Sequence, residues 1–247
     1  MSSTIEDKWF EEWFNTKYYH ILYKNRDHQE AEEFILKLLD ELQLPSDAYC
    51  LDLACGKGRH ARFLSEQGFK VCGVDLSENS IQFASEWCND NLYFDVHDMR
   101  EVYKKNAYDA VFNLFTSFGY FDSDSDNLRV LDSIHQMLCD KGILVIDFLN
   151  AEKVVSNLVK SETKYIDGVT FKIKRWVEDG HIYKQIDIHD EGKELSFTER
   201  VQALYRSDFE RMLEAKNFSV KNVFGSLDLA PFQDATSDRL VIIAEKK

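Results

Sequence analysis

Residues 50–61 read Cys50-Leu51-Asp52-Leu53-Ala54-Cys55-Gly56-Lys57-Gly58-Arg59-His60-Ala61. A short apolar run, 48–54, ends in two closely spaced glycines and opens onto a helical pattern from about Arg59 to Gln67. A strand that turns through glycines into a helix is a cofactor cradle. Backbone without Cβ lets a ligand approach, and the first helical turn offers unpaired N–H groups. Gly56-Lys57-Gly58-Arg59-His60-Ala61 satisfies the dinucleotide pattern G-x-G-x-x-G/A, which alone admits NAD(P) as readily as another cofactor. Asp52 weighs against NAD(P). It precedes the first glycine by four residues, near the carboxyl end of the strand, so its carboxylate is expected close to the ligand. A pyrophosphate there would meet repulsion on the order of a few kcal/mol at an effective dielectric of ~20. S-adenosylmethionine brings an ammonium and a sulfonium and no phosphate, and gains from the same charge.

Two further acids fall at the ends of the next strands. Asp75 closes Lys70–Val74, 23 residues after Asp52, where a carboxylate can accept hydrogen bonds from both ribose hydroxyls. Leu76 follows it. Asp98, in Val96-His97-Asp98-Met99, is expected to accept from the adenine amino group while the Met99 amide meets the ring edge. Any one of these acids could be a solvated loop residue. Three at successive strand ends, in this order, are better explained as a site.

The rest of the chain continues the alternation. Ser77 caps a helix carrying Ile81 and Ala84; strands are expected at 92–94, 108–114 and 142–149, with a helix at about 126–139. Strand–helix alternation implies βαβ units and a parallel sheet covered on both faces. Before it, residues 5–24 read as one helix rich in aromatics (Trp9, Phe10, Trp13, Phe14, Tyr18, Tyr19, Tyr23), followed by an amphipathic helix that Pro45 ends. After Asn150 the period changes to two. Segments 169–177, 181–189 and 195–204, with Gly168, Asp179-Gly180 and Glu191-Gly192 as turns, read as an antiparallel meander inserted into the α/β unit. A helix at about 207–216 and strands at 218–225 and 239–245 follow.

Asp52-Leu-Ala-Cys-Gly-Lys-Gly-Arg-His with Asp75-Leu-Ser resembles the class I S-adenosylmethionine-dependent methyltransferases, over about 45–150 and 204–247. The resemblance implies an α/β fold with a Rossmann-like seven-stranded sheet whose last strand is antiparallel. It narrows toward the small-molecule branch, glycine N-methyltransferase and the amino-sugar N-methyltransferases, which carry an N-terminal helical lid and an inserted antiparallel sheet in comparable places. On that layout the chain divides into a lid (1–44), a cofactor-binding core (45–150), a β insertion (151–204) and the closing helix and strands (205–247). The cofactor set becomes Arg26 for the methionine carboxylate, then Asp52, Ala54, Cys55, Gly56, Gly58, Asp75, Leu76, Asp98 and Met99. Leu114 and Phe115 of the loop after the fourth strand would lie near the methyl group. Phe115 replaces a small residue found in some relatives.

Methyl transfer is an in-line displacement at carbon, helped by alignment and by exclusion of water. The aromatic lid suits that, with Tyr18 and Tyr19 keeping polar tips. Thr116, Tyr120 and Asn150 complete the expected acceptor pocket. No catalytic group is identified outright. His20 is the one histidine placed to be tested as a base, Tyr120 is the other candidate, and His60 and His97 read as structural or exposed. No metal constellation is present in the sequence. The 247 residues are 44% hydrophobic, with a net charge of −14, which makes nucleic acid and anionic membrane poor partners. Five cysteines without a CxxC pair and no signal or spanning segment predict a cytoplasmic protein with structural thiols. The expected activity is transfer of a methyl group to a small molecule, on N before O or C. The alternatives are an NAD(P)-dependent oxidoreductase on the same loop and a non-catalytic S-adenosylmethionine-binding protein.

Overall fold

The structure, a computed structural model, describes residues 9–24, 28–121 and 123–247. Seven strands form the main sheet: β1 (Tyr49–Leu53), β2 (Lys70–Asp75), β3 (Leu92–Val96), β4 (Tyr108–Asn113), β5 (Leu138–Leu149), β10 (Phe218–Phe224) and β11 (Arg239–Lys246). Their order is β10-β11-β5-β4-β1-β2-β3. β1 to β5 pair in parallel, while β11 runs antiparallel between β5 and β10. The parallel strands are apolar on both faces because both are covered. On one side Phe34, Ile35 and Leu38 of α3 (His28–Leu42) and Ala61 and Leu64 of α4 (Arg59–Glu66) pack against Cys50, Val71 and Phe112. On the other, α6 (Asp124–Met137) and α8 (Arg206–Ala215) bring Val130, Ile134, Phe209 and Met212 onto Leu51, Leu53 and Ile146. Ser77 caps α5 (Glu78–Ala84), its hydroxyl accepting from the Ser80 amide at 3.1 Å.

A second sheet of four antiparallel strands holds β6 (Ser161–Ile166), β7 (Val169–Glu178), β8 (His181–Asp190) and β9 (Lys193–Gln202), in that order. Asp167-Gly168, Asp179-Gly180 and Glu191-Gly192 connect them, and both residues of each pair have positive φ. That matches the mirror-image turns that fit the twist of a hairpin. β6 and the short helix α7 (Ala151–Ser156) were not anticipated, because most β6 side chains are exposed and leave no alternation to read.

The aromatic N-terminal segment is two helices where one was expected: α1 (Trp9–Phe14) and α2 (Lys17–Leu22). Thr16 divides them. Its hydroxyl accepts from the Tyr19 amide at 3.1 Å and donates to the Trp13 carbonyl at 2.9 Å, stopping one helix and capping the next. Trp13, Tyr18 and Leu22 then bury themselves against Phe171, Ile173, Ile186 and Ile188 of the second sheet. Among the described residues, no helix is long and apolar enough to cross a membrane.

Candidate active site

The carboxyl ends of β1, β2 and β4 open into a cavity of about 700 Å³, covered by α1, α2 and the end of β9. The two loop glycines serve it differently. Gly56 sits at φ 56°, and a Cβ built there meets nothing within 4 Å, so its backbone faces open space in the cavity. Gly58, at φ 75°, is needed for packing: a Cβ would lie 2.5 Å from the Phe94 ring. Gly58 is buried at the N-cap of α4, outside the cavity lining.

Asp75 stands where the sequence placed it. One carboxylate oxygen accepts from the Gly56 amide at 2.8 Å and the other from the Ser77 amide at 2.8 Å. It lines the cavity, and each oxygen retains a lone pair for a ligand hydroxyl. Burial pushes its carboxyl above the ordinary range, against the pull of these amides.

Asp52 differs from the sequence expectation. It is 1% exposed and does not line the cavity; its carboxylate accepts from the Ala61 amide at 3.0 Å, fastening the first turn of α4. Burial raises it to about 7, with Asp75 adding to the rise and the Ala61 amide and Arg59 opposing it. It lies beneath the loop, off the cavity lining.

Asp98 and Met99 also lie off the cavity. The Arg100 guanidinium, two residues on, clasps Asp98 through Nη2–Oδ2 at 2.6 Å and Nε at 3.1 Å, and its amide adds a bond of 2.9 Å. Burial alone would raise Asp98; these bonds outweigh it and hold the carboxyl low. The Met99 carbonyl accepts from the Ser133 hydroxyl at 2.6 Å. Leu76 is half-buried and off the lining as well.

The loop after β4 was read as Leu114, Phe115 and Thr116 near the methyl group, and all three line the cavity. Phe115 and Thr116 have φ of 63° and 61°, and Ala54 on the facing loop has 60°. Left-handed non-glycine residues cost roughly 1–3 kcal/mol each and persist only where surroundings over-determine them. Here Asp147, a buried residue of β5, supplies the restraint. Its carboxylate accepts from the Phe115 amide at 2.9 Å and its carbonyl accepts from the Thr116 amide at 2.8 Å. Arg239, the first residue of β11, donates Nε to Asp147 at 2.8 Å and Nη2 to the Thr116 hydroxyl at 3.0 Å. Neither Asp147 nor Arg239 was singled out from sequence. The available signal was a lone carboxylate inside the apolar run 143–148.

Aromatic rings roof this loop. Tyr120 packs with Trp9 at 5.6 Å and Phe14 at 5.7 Å between centroids, and Phe14 with Tyr19 at 4.9 Å. Glu199 of β9, also unanticipated, ties the roof down: it accepts from Trp13 Nε1 at 2.7 Å and from the Tyr23 hydroxyl at 2.6 Å, with Lys184 at 3.3 Å. His20 lines the cavity, and burial together with nearby Lys57 lowers it to about 4, so it is neutral and weakly basic at pH 7.

Ala54, Cys55, Gly56, Asp75, Leu114, Phe115, Thr116, Tyr19, His20 and Tyr120 are thus brought together. Tyr18 is not: it is buried beside the second sheet, its hydroxyl donating to Asp190 at 2.9 Å. Asn150 faces a separate, smaller cavity, with its amide donating to the carbonyls of Asp234 at 2.7 Å and Ser237 at 2.8 Å. Arg26 lies outside the described residues. Among the described residues, no group of three or more His, Cys, Asp or Glu could hold a metal ion.

A family model described as "Methyltransferase domain" matches residues 45–223. A glycine/sarcosine N-methyltransferase of Aphanothece halophytica is 32% identical over 155 residues, 60% of this chain and 57% of that protein. A dTDP-3-amino-3,4,6-trideoxy-alpha-D-glucopyranose N,N-dimethyltransferase of Streptomyces venezuelae is 23% identical over 217 residues, 84% of this chain and 91% of that one. The chain spans about half the length of the first curated relatives it matches, 47%, 57% and 57%. In fold, a crystal structure of an S-adenosylmethionine-dependent methyltransferase from Clostridium acetobutylicum superimposes with a TM-score of 0.79 at 18% identity, covering 93% of this chain and 96% of that chain.

Proposed function

The chain belongs to the methyltransferase domain family, matched over residues 45–223, and on that premise we propose that it transfers a methyl group from S-adenosylmethionine to a small-molecule acceptor, on nitrogen before oxygen or carbon. The observation that carries this reading is Asp75, a carboxylate at the tip of β2 that lines the cavity, with one oxygen on the Gly56 amide of an open glycine loop and the other on the Ser77 amide. The donor set fits a hydroxylated, cationic ligand: Asp75 offers acceptors to vicinal hydroxyls, and Asp52 beneath the loop favours positive charge. The same two carboxylates oppose a diphosphate, which weighs against a nicotinamide dinucleotide.

When bound, the cofactor supplies an electrophilic methyl carbon on a cationic sulfur. The chain's residues align and enclose. Asp75 and the Gly56 backbone would hold the nucleoside end. The turn at Phe115 and Thr116, restrained by Asp147, presents a fixed surface to the reacting centre. Trp9, Phe14, Tyr19 and Tyr120 exclude water, which strengthens every charge interaction inside. His20, weakly basic, can accept a hydrogen bond from an acceptor N–H and is poorly suited to ionise a hydroxyl. That favours an amine reaching the site already neutral, as do the N-methyltransferase relatives. The thiols, all free among the described residues, suit a reducing cytoplasm.

Calorimetry on Asp75→Ala tests the reading: affinity for S-adenosylmethionine should fall at least tenfold. Unchanged affinity would overturn the ribose assignment. A screen of amines, alcohols and carbon acids with labelled cofactor completes the test: no labelled amine would overturn the preference for nitrogen, and no labelled product of any kind would leave only a binding role.

A further inference from the structure

The smaller cavity has no part in the site described above: neither Asp75 nor the turn at Phe115 and Thr116 lines it. Its volume is about 340 Å³, within the roughly 300–1,000 Å³ of small-molecule sites. One wall is the first turn of α8; the other is the start of α7 with the chain at 232–234. Asn150, on the second wall, is 3% exposed, and its Nδ2 donates to the carbonyls of Asp234 at 2.7 Å and Ser237 at 2.8 Å. Two carbonyls on one side fix which end of the amide is nitrogen. Oδ1 therefore points away from both and has no hydrogen-bond partner among the described residues. Asn150 lines this cavity and not the main one. A nearly buried amide oxygen without a donor, on a cavity wall, calls for an N–H from a ligand.

The charges on this wall agree. Glu152 and Asp234 line the cavity, and neither carboxylate has a hydrogen bond or ion pair among the described residues. Glu210 is paired with Arg206 Nε at 2.7 Å, so those two charges cancel. With Asn150 Oδ1, the two open carboxylates offer acceptors for the three N–H donors of one ammonium. The facing wall has the opposite character. The amides of Arg206 and Ser207, the first two of α8, have no partner among the described residues, and neither has the Ser207 hydroxyl. Asp208, in the same turn, is engaged by the Tyr205 amide at 3.0 Å. Open amides at a helix N-terminus suit a carboxylate. We propose that this cavity binds a free α-amino acid as its zwitterion, the ammonium on Asn150, Glu152 and Asp234 and the carboxylate on the first turn of α8. A protonated nitrogen has no lone pair to receive a methyl group, so the ligand is not methylated there. The site does not rest on the methyl-transfer reading.

Titration of the full chain with L-alanine, ethylammonium chloride and sodium acetate at constant ionic strength, followed by proton–nitrogen NMR, tests the site. The backbone amides of Arg206 and Ser207 and the side-chain amide of Asn150 should shift saturably with L-alanine. Ethylammonium and acetate, each carrying one half of the zwitterion, should bind at least tenfold more weakly. Glu152→Gln and Asp234→Asn change exposed side chains, so both should fold as wild type does, and each should weaken L-alanine binding at least threefold. No saturable shift, a half-molecule that binds as tightly as L-alanine, or variants that bind as wild type does would overturn the proposal. So would shifts confined to Gly56, Phe115 and Thr116, which would put the amino acid in the main cavity.

Discussion

Asp52 does not line the cavity, and the influence proposed for it there acts through its charge. A carboxyl raised to about 7 is half-ionised at neutral pH, and a cation arriving above it favours the ionised form. Binding of S-adenosylmethionine should therefore release a proton, and affinity should rise as pH climbs through 7 and then level off. Calorimetry in buffers of different ionisation enthalpy measures this, and Asp52→Asn, which keeps an acceptor for the Ala61 amide, should flatten the profile. Folding stability moves the other way. Because the folded value lies above the unfolded value of about 3.9, this group's contribution is intact below pH ~4 and is lost as pH rises toward 7. Asp52→Asn should raise the melting temperature at pH 8 more than at pH 5. The glycines make a second contrast. Gly58→Ala drives a Cβ into Phe94 and should strongly lower the melting temperature, whereas Gly56→Ala should fold and lose cofactor affinity. The position of Asp75 on the cavity was legible in sequence because it ends a strand directly beside the glycine loop. That of Asp98 off the cavity was not, because its engagement by Arg100 two residues on leaves no periodic signal.

The roof of the cavity depends on one carboxylate. Glu199 joins α1, α2 and β9, and Trp13, fully buried, has its indole N–H on it. Glu199→Ala would leave that donor buried and unsatisfied, a loss of about 1–3 kcal/mol. Hydrogen exchange should then quicken across residues 9–24 while β1, β4 and β5 keep their protection; uniform protection in the variant would remove the role given to Glu199. The βαβ order could be read ahead of the structure because the apolar runs of β1 and β2 end at a glycine loop and at an acid followed by a helix cap. The break at Thr16 could not, since aromatic periodicity continues across it and only the hydroxyl's two hydrogen bonds reveal the stop. The clamp of Asp147 and Arg239 joins residues 92 positions apart, and nothing local in either segment announces it.

Across the molecule, burial sorts the five thiols. Cys50, Cys55 and Cys72 are buried, and burial pushes the Cys50 thiol up to about 12 and raises the other two. Cys88 is exposed. Iodoacetamide should label Cys88 rapidly in the native protein and spare Cys50, Cys55 and Cys72 until denaturant is added. Mass spectrometry of quenched samples reads this directly, and early labelling of Cys50 or Cys72 would contradict the packing of β1 and β2. The position of β11 carries a consequence for synthesis. β5 leaves the ribosome with one edge paired to β4 and the other bare, and its remaining partner, residues 239–246, emerges only after all four strands of the second sheet. The hairpins of β6–β9 need only local pairing and can close at once. The nascent chain thus passes through a stage in which the antiparallel sheet is formed while β5 still shows an open apolar edge, and that edge is where chaperone capture or misassembly would begin.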